Sequence, residues 1–315
     1  MIPLDRIREA RGRIAGAAVR TPLVRLEAPA FPGELWLKLE CLQPIGSFKI
    51  RGATNAVRSA PREAIAGGVV TASAGNMAQG VAWAAREAGV PATVAVPELA
   101  VATKVAAIER LGGRIVRLPL EAWWHAIEES HVEGVEGLFV NPVQDEPVMA
   151  GNGTIGLELV EELDEIDAVL VPLGGGGLVS GIASAVKQLS PPTRVFSVEP
   201  ETAGALAASF SAGEPVEVQY LPSFVDGAGS RSVLPRMWPL LRELVDEALA
   251  VSLEQTAEAV RLLAERAKVV AEGAGALPVA AALAGLAGSG RVICIVSGGN
   301  IDPSVLARIL AGKTP

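Results

Sequence analysis

The sequence predicts an α/β fold in which parallel β-sheets are covered by helices on both faces. Short apolar runs typical of buried strands occur at 68–72, 92–97, 114–119, 167–172, 194–199 and 291–296. Longer helical patterns alternate with them, for example at 77–88, 101–111, 154–163 and 253–267. Such alternation favours parallel strands that are joined by helices. With 315 residues, the chain is long enough for two domains or one large α/β unit.

The composition argues against several classes of function. Half of the residues are hydrophobic and 20% are charged, as in a globular protein. The net charge of -8, without any basic run, argues against binding to nucleic acid, because its phosphates attract clustered Lys and Arg. The long uncharged stretches 168–186 and 273–290 are rich in Gly and Ala, so we expect no membrane span.

The cysteines and the N-terminus predict a cytoplasmic protein. Cys41 and Cys294 lie far apart in the sequence, and we expect both to be reduced thiols. Residues 1–14 carry charges throughout and lack an apolar core, so no signal peptide is expected. His125 and His131 lack the spacing of metal ligands, and no metal site is predicted.

A run of four glycines at 174–177 follows one predicted strand and precedes a helical pattern. Glycine lets backbone N–H groups approach an anion, and the positive end of the following helix adds to the attraction. The run therefore predicts a site for the phosphate of a cofactor. Two cofactors remain open at this point. Gly175, Gly177 and Gly181 form a loose GxGxxxG pattern, and Glu199 stands where a nicotinamide dinucleotide site places its acid.

Two polar loops also follow predicted strands. They are Ser73–Asn76, after the strand at 68–72, and Ser297–Asn300, after the strand at 291–296. Because the carboxyl ends of parallel strands meet at one edge of a sheet, both loops could face the same crevice. The hydroxyl, amide and N–H groups of Ser73–Asn76 suit a carboxylate or a phenolic oxygen, although a capped helix start is an alternative for this loop. The hydroxyl of Ser297 would face the same crevice, although Ser297–Asn300 is also compatible with an ordinary turn.

Lys49 is the candidate for covalent attachment of a cofactor. It lies in the segment 44–52, at the predicted start of a helix. The helix N-terminus and nearby Arg51 both disfavour an ammonium ion and would lower the pKa of the amine toward the range needed for imine formation. Phe48 offers an apolar neighbour for a ring. A dinucleotide enzyme needs no such lysine, so Lys49 favours pyridoxal 5′-phosphate (PLP) as the cofactor.

A series of motifs resembles the threonine dehydratase and serine racemase group, which are fold type II PLP enzymes of the tryptophan synthase β family. The motifs keep their order and span about residues 20 to 302: LQPIGSFKIRGA, TASAGNMAQGVA, AGNGTIGLEL, PLGGGGLVSG, KVVAEGAGA and SGGNID. The resemblance implies a lyase that eliminates water and ammonia from a 3-hydroxy amino acid such as threonine or serine. Racemisation, β-replacement, PLP binding without turnover and a nicotinamide-dependent oxidoreductase are the alternatives.

The resemblance also implies roles for individual residues. Lys49 would bind PLP covalently and move the Cα proton, and Phe48 would pack beside the pyridine ring. Ser297 would face the ring nitrogen, and Asn76 would bind the phenolic oxygen. The phosphate would be held by the backbone of Gly174, Gly175, Gly176, Gly177 and Leu178. The substrate carboxylate would be bound by the loop Ser73, Ala74, Gly75 and Asn76, with Met77 beside it.

At the level of the whole chain, the resemblance implies two domains with the cofactor between them. Residues 1–41 and 146–315 would form the large PLP-binding domain, and residues 42–145 a small mobile domain. A homodimer is implied as well. The sequence ends soon after SGGNID, so the regulatory C-terminal domain of biosynthetic threonine dehydratases and its isoleucine feedback are not expected, and a catabolic role is favoured.

Three positions depart from the family pattern. Met77 stands where the family usually has His, which predicts an apolar, adaptable wall and a substrate with a larger β-group than threonine. Ala74 replaces the Ser that racemases use as the acid and base on the opposite face, which argues against efficient racemisation. Ala205 stands where the cation-binding members carry an Asp that acts together with the acid corresponding to Glu199, so a bound cation is not expected.

Overall fold

The computed structural model describes residues 1–29, 31–100 and 102–315. The strands are β1 (Leu23–Leu26), β2 (Gly33–Lys38), β3 (Val69–Ala72), β4 (Ala92–Pro97), β5 (Gly113–Leu118), β6 (Leu138–Phe139), β7 (Ala168–Pro172), β8 (Arg194–Pro200), β9 (Glu247–Val251) and β10 (Gly290–Ile295). They form a six-stranded sheet in the order β1-β2-β10-β7-β8-β9 and a four-stranded sheet in the order β5-β4-β3-β6.

Helices connect and cover the strands. In chain order they are α1 (Leu4–Ile14), α2 (Lys49–Ser59), α3 (Arg62–Ile65), α4 (Asn76–Ala88), α5 (Ala102–Arg110), α6 (Leu120–Glu129), α7 (Glu146–Glu162), α8 (Gly177–Leu189), α9 (Ala205–Ala212), α10 (Trp238–Leu244), α11 (Leu253–Leu262), α12 (Gly273–Leu283) and α13 (Pro303–Leu310). The α/β architecture predicted from the sequence is confirmed.

Strand pairing is parallel except at one edge of the larger sheet. There, β1 pairs antiparallel with β2, whereas β2, β10, β7, β8 and β9 run parallel. In the smaller sheet, β3 pairs parallel with β4 and β6, and β4 pairs parallel with β5. The carboxyl ends of the central strands therefore lie at a common edge of each sheet, as the sequence analysis assumed.

The six strands predicted from apolar runs correspond to β3, β4, β5, β7, β8 and β10. The predicted helix at 253–267 is divided, because α11 ends at Leu262 and a π-helical turn follows at Leu263–Ala267. The helix predicted at 101–111 corresponds to α5, and its first position, Val101, lies outside the described residues. Strands β1, β2, β6 and β9 were not predicted.

Four hydrophobic clusters divide the interior of the described part of the chain. One face of the larger sheet packs against α11 and α12, and the other face packs against α1, α7, α8 and α10. In the smaller sheet, one cluster lies between the strands and helices α2 and α4, and another lies between the strands and α6. All strands of the smaller sheet lie within 69–139, inside the predicted domain 42–145. The domain boundaries and the mobility of this segment remain predictions.

Within the part of the chain that the structure describes, no helix is long and apolar enough to cross a membrane. Cys41 and Cys294 are both buried, and both are free thiols.

Candidate active site

The predicted site residues meet where strands end and helices begin. Lys49, Asn76 and Gly177 are the first residues of α2, α4 and α8, and Ser297 follows the end of β10. One cavity brings most of the predicted cofactor residues together. Its lining consists of Phe48, Lys49, Pro142, Val143, Pro172, Gly174, Gly175, Gly176, Gly177, Leu178, Gly227 and Ser297.

The glycine loop forms a cradle at the start of α8. Gly176 has φ +98, which glycine adopts without strain. A Cβ on Gly175 would lie 2.6 Å from Val143 Cγ1, and a Cβ on Gly177 would lie 3.0 Å from the Val143 carbonyl oxygen. Among the described residues, no side chain caps α8. The first backbone N–H groups of this helix therefore remain available to an anion.

Lys49 presents its amine to the same cavity. The Nζ atom lies 3.5 Å from the carbonyl oxygen of Pro142 and 5.0 Å from the centre of the Phe48 ring. Burial lowers the pKa of Lys49 to about 8, while the charge of Glu272 acts in the opposite direction. A neutral amine, which can act as a nucleophile, is therefore accessible near neutral pH.

The cause of the lowered pKa differs from the sequence prediction. Arg51 was expected to disfavour the ammonium form of Lys49 by its positive charge. In the structure, Arg51 forms ion pairs with Glu40 and Glu158, which compensate that charge. Burial of Lys49 is what lowers the pKa of its amine.

The loop Ser73–Asn76 lies opposite the end of β10. Its residues are half-buried and the Ser73 hydroxyl accepts a hydrogen bond from the backbone N–H of Gly75 at 3.2 Å. The side chain of Asn76 is oriented from both ends. Its Nδ2 donates to Glu272 Oε1 at 2.8 Å, and its Oδ1 accepts from Asn300 Nδ2 at 2.8 Å.

Glu272 immediately precedes α12 and is buried beside this amide pair. Burial and, to a smaller extent, the negative charge of Asp226 raise the pKa of Glu272 to about 7, while the hydrogen bond from Asn76 acts in the opposite direction. Glu272 is also the carboxylate whose charge raises the pKa of Lys49. The site thus contains an amine and a carboxylic acid that both titrate near neutral pH.

Comparison with known proteins decides the family. The model of the family described as "Pyridoxal-phosphate dependent enzyme" matches residues 14–298. The chain belongs to this family. PLP is therefore its cofactor, and the nicotinamide interpretation of the glycine loop is set aside.

Two sequence relatives and one solved structure illustrate the similarity. An L-threonine ammonia-lyase of Thermotoga maritima is 41% identical over 98% of this chain and 78% of its own length. The L-threonine dehydratase catabolic TdcB of Escherichia coli is 39% identical over 98% of this chain and 96% of its own length. Maize serine racemase has a TM-score of 0.87 at 35% identity and covers 98% of each chain.

The residues present in this PLP-dependent enzyme fit its cofactor. The glycine cradle suits a phosphate, because the described side chains leave the first N–H groups of α8 uncapped and Gly175 and Gly177 add no side chain between them and the cavity. The partly buried amine of Lys49 suits covalent attachment. Ser297 is only 2% exposed and places a hydroxyl group on the lining of the same cavity.

Met77 lies in a different environment from the one expected. Its side chain is 2% exposed and belongs to the core cluster of the smaller sheet, together with Ala53, Val81 and Val148. An open apolar wall beside the substrate is therefore not what the structure shows. Any influence of Met77 on the substrate has to pass through the packing behind the loop Ser73–Asn76.

Glu199 occupies the position of the family's cation ligand but has backbone partners. Its carboxylate accepts hydrogen bonds from the N–H groups of Leu206 at 3.2 Å and Ala207 at 2.9 Å, at the start of α9. Burial raises the pKa of Glu199 to about 7. Within residues 1–29, 31–100 and 102–315, no group of three or more His, Cys, Asp or Glu side chains could hold a metal.

No role was predicted for Glu272 or for the loop Pro142–Val143, and Asn300 was predicted only as the last residue of the polar loop Ser297–Asn300. Glu272 and Asn300 lie in KVVAEGAGA and SGGNID, two of the motifs on which the resemblance rests. A polar residue within a glycine-rich motif could have marked each of them as a site residue. Pro142 and Val143 follow the two-residue strand β6, and a strand this short leaves no recognisable apolar run.

Proposed function

We propose that this protein is a PLP-dependent ammonia-lyase that converts L-threonine or L-serine into the corresponding 2-oxo acid and ammonia. The observation that carries this proposal is the partly buried Lys49 amine in the cavity formed by the glycine loop. The 41% identical L-threonine ammonia-lyase supports the choice of reaction and substrate.

In this proposal the residues of the site divide the binding of cofactor and substrate between them. The backbone of Gly174, Gly175, Gly176, Gly177 and Leu178 would hold the phosphate, and Phe48 would pack beside the ring. Ser297 would face the ring nitrogen, and Asn76 would bind the phenolic oxygen with its second amide hydrogen, because the first is donated to Glu272. The loop Ser73–Asn76, with Ala74 and Gly75, would bind the substrate carboxylate.

PLP, when bound, supplies an electron sink for the electron pair that remains when the Cα proton is removed. Lys49 is the group that would accept this proton, because burial lowers the pKa of its amine to about 8 and so makes the neutral, basic form accessible near that pH. The β-hydroxyl then leaves with a proton as water. The released enamine hydrolyses in solution, which yields the 2-oxo acid and ammonia.

The first experiment is an absorption spectrum of the purified protein with PLP, followed by addition of L-threonine, L-serine and L-threo-phenylserine in turn. We expect a visible band of bound PLP and the release of a 2-oxo acid. Lys49→Ala should lose both, whereas the exposed Lys313→Ala should keep both. A normal band without turnover of any of the three substrates would contradict the lyase proposal and leave a PLP-binding protein.

Racemisation is the second candidate, because maize serine racemase is 35% identical at a TM-score of 0.87. We propose that elimination predominates, since a racemase needs a proton donor on each face of Cα and Ala74 supplies none on the loop face. If L-serine gives D-serine at a rate close to that of pyruvate, the proposal that elimination predominates is wrong.

The choice between substrates is a separate proposal. We infer that Met77 in place of His favours a 3-hydroxy amino acid with a β-group larger than that of threonine. Because Met77 is buried in the core, the effect would act through the position of Ser73 and Ala74. If kcat/KM for threonine and serine exceeds that for every bulkier 3-hydroxy amino acid, the proposal is wrong.

We also propose a homodimer and a cytoplasmic location, both of which rest on the resemblance. The buried free thiols Cys41 and Cys294, which are the cysteines of this chain, are in keeping with a reducing compartment. Light scattering coupled to size-exclusion chromatography tests the first proposal, and cell fractionation tests the second.

A further inference from the structure

A buried network of charges lies directly behind the first turn of α2. The guanidinium of Arg51 donates to both carboxylate oxygens of Glu40, through Nε and Nη2, each at 2.8 Å. It also donates to both oxygens of Glu158, at 2.6 Å and 3.0 Å. The ammonium of Lys38 binds Glu158 at 2.8 Å from the other side. Arg51 is 1% exposed, and Lys38 and Glu40 are 0% exposed.

The network joins three separate elements. Glu40 follows β2 of the larger sheet, Glu158 lies near the end of α7, and Arg51 is the third residue of α2. Glu40 is itself held by the Thr21 hydroxyl at 2.6 Å and by Gln43 Nε2 at 3.1 Å. The bidentate geometry fixes the orientation of the guanidinium as well as its position.

Lys49 lies between this network and a second set of contacts, which joins residues 47 and 48 to the loop after β10. On the other side of Lys49, the backbone N–H of Phe48 donates to the Ser297 carbonyl at 3.0 Å, and Ser47 forms a β-bridge with Gly298. Among the described residues, no side chain caps the start of α2. The position of the first turn therefore depends on these tertiary contacts.

Stability alone does not account for such a network. Removing two cations and two carboxylates from water costs free energy, and well-packed apolar residues of similar volume are often as stable or more stable. What apolar residues cannot supply is a defined orientation, because their contacts are not directional.

We propose that Arg51 is a positioning residue for Lys49, and that its pairing with Glu40 and Glu158 holds the Lys49 amine toward the glycine loop. The inference rests on the proposed function. Arg51 itself does not line the cavity and acts through the backbone of α2.

The test compares Arg51→Lys, which keeps the charge but loses the bidentate geometry, with Arg58→Lys as the matched control. Arg58 lies in the same helix and also binds backbone carbonyls, those of Arg13 and Ala15, but near the far end of the helix. Two readouts are used. The first is the rate at which the apoprotein takes up PLP that borohydride then fixes on Lys49, measured by mass spectrometry. The second is the division of the effect between kcat and KM.

We expect Arg51→Lys to remain folded, to take up PLP more slowly and to lose about a hundredfold in kcat, as a displacement of about 1 Å can cause, with a smaller change in KM. Arg58→Lys should match the wild type. A lowered Tm with unchanged PLP uptake and kcat for the folded fraction would overturn the proposal. If the wild-type protein itself does not take up PLP, the proposed function fails, which is a different outcome.

A second variant covers the case in which Arg51→Lys does not fold. The double variant Arg51→Met with Glu40→Gln removes one cation and one carboxylate and leaves Lys38 paired with Glu158. If it folds and takes up PLP slowly, the positioning role is supported. Normal uptake by the folded double variant, or failure of both variants to fold, would assign the network a structural role only and overturn the proposal.

Discussion

Glu272 couples the orientation of Asn76 to the charge of Lys49. Its Oε1 accepts from the Asn76 amide at 2.8 Å, and its negative charge raises the pKa of the Lys49 amine. Burial raises the pKa of Glu272 to about 7, so the carboxylate is largely ionised at pH 8, where Lys49 titrates. The charge of Glu272 therefore acts on Lys49 in the pH range in which the amine becomes neutral.

The pH dependence of PLP uptake by the apoprotein tests this coupling. Only the neutral amine can attack PLP, so uptake should rise with pH, with a midpoint at about 8 in the wild type. Glu272→Gln keeps an oxygen for Asn76 but removes the charge that raises the pKa of Lys49. We therefore expect its midpoint at a lower pH than that of the wild type.

Glu199→Gln is the control, because Glu199 is also a buried acid with a pKa raised to about 7 but is bound by the backbone of α9. Its midpoint should match that of the wild type. An unchanged or higher midpoint in Glu272→Gln would show that its charge does not reach the amine.

For single residues, the sequence predicted which residues within a motif belong to the site, but it did not predict the contacts between residues of different motifs. Lys49, Ser297 and the glycine loop were predicted, and the structure places them around one cavity. Glu272 was missed because its partner Asn76 lies 196 residues away. Met77 was expected at the substrate because it follows Asn76, but one step along a helix turns a side chain by about 100° and directs this one into the core.

Among the elements, the pair α7 and α8 determines where the phosphate cradle lies. Glycines let the two backbones approach closely. A Cβ on Gly156 would lie 2.8 Å from the Ile182 carbonyl oxygen, and a Cβ on Gly153 would lie 2.9 Å from that of Gly181. Because α8 begins at Gly177 in the cradle, this packing also positions the N–H groups that would face the phosphate in the proposed function.

Gly181→Ala should separate the two helices. The new Cβ would lie 2.8 Å from the backbone N of Gly153, and backbone atoms cannot move aside as a flexible side chain can. We expect a loss of about 1–3 kcal/mol in the free energy of unfolding, as overpacking commonly causes, together with weaker PLP binding. Urea unfolding and a PLP titration measure the two effects.

Gly12→Ala is the matched control, since Gly12 lies inside α1 with no atom within 4 Å of a new Cβ. There alanine should stabilise the protein by about 0.5–1 kcal/mol, because glycine is the poorer helix former. Equal stabilisation of both variants would contradict the close approach of α7 and α8.

Two of the strands that the sequence did not predict, β1 and β2, lie together at one edge of the larger sheet. β1 (LVRL) and β2 (GELWLK) mix charged and apolar residues, and each contains exposed or half-buried positions as well as buried ones. The prediction relied on continuous apolar runs, which are typical of strands buried on both faces. It therefore found the interior strands β7, β8 and β10 and missed this edge.

For the whole molecule, an ion pair between the parts that contain the two sheets could control access to the site. Lys104 of α5, in the predicted small domain, forms an ion pair with Asp226, which lies between α9 and α10. Asp226 precedes Gly227 on the lining of the cofactor cavity. If the segment 42–145 moves as the resemblance implies, this pair forms when the two parts close over the site.

Lys104→Gln should then shift the protein toward the open form and raise KM for L-threonine. Both partners are partly exposed, so the pair contributes about 0.2–1 kcal/mol and KM should rise by a factor of about 1.4 to 5. Raising the salt concentration should bring the wild type toward the variant, because it screens the pair. Steady-state kinetics at several salt concentrations measures both effects.

Two further variants separate closure from an indirect effect on Glu272. Lys104 lowers the pKa of Glu272 and Asp226 raises it, so Asp226→Asn changes that carboxyl in the opposite sense while it breaks the same ion pair. Both variants should therefore raise KM if closure is what matters. Arg231→Gln removes an exposed pair with Glu217 within the predicted large domain and should leave KM unchanged. Opposite shifts in Lys104→Gln and Asp226→Asn would assign the effect to Glu272 instead of closure.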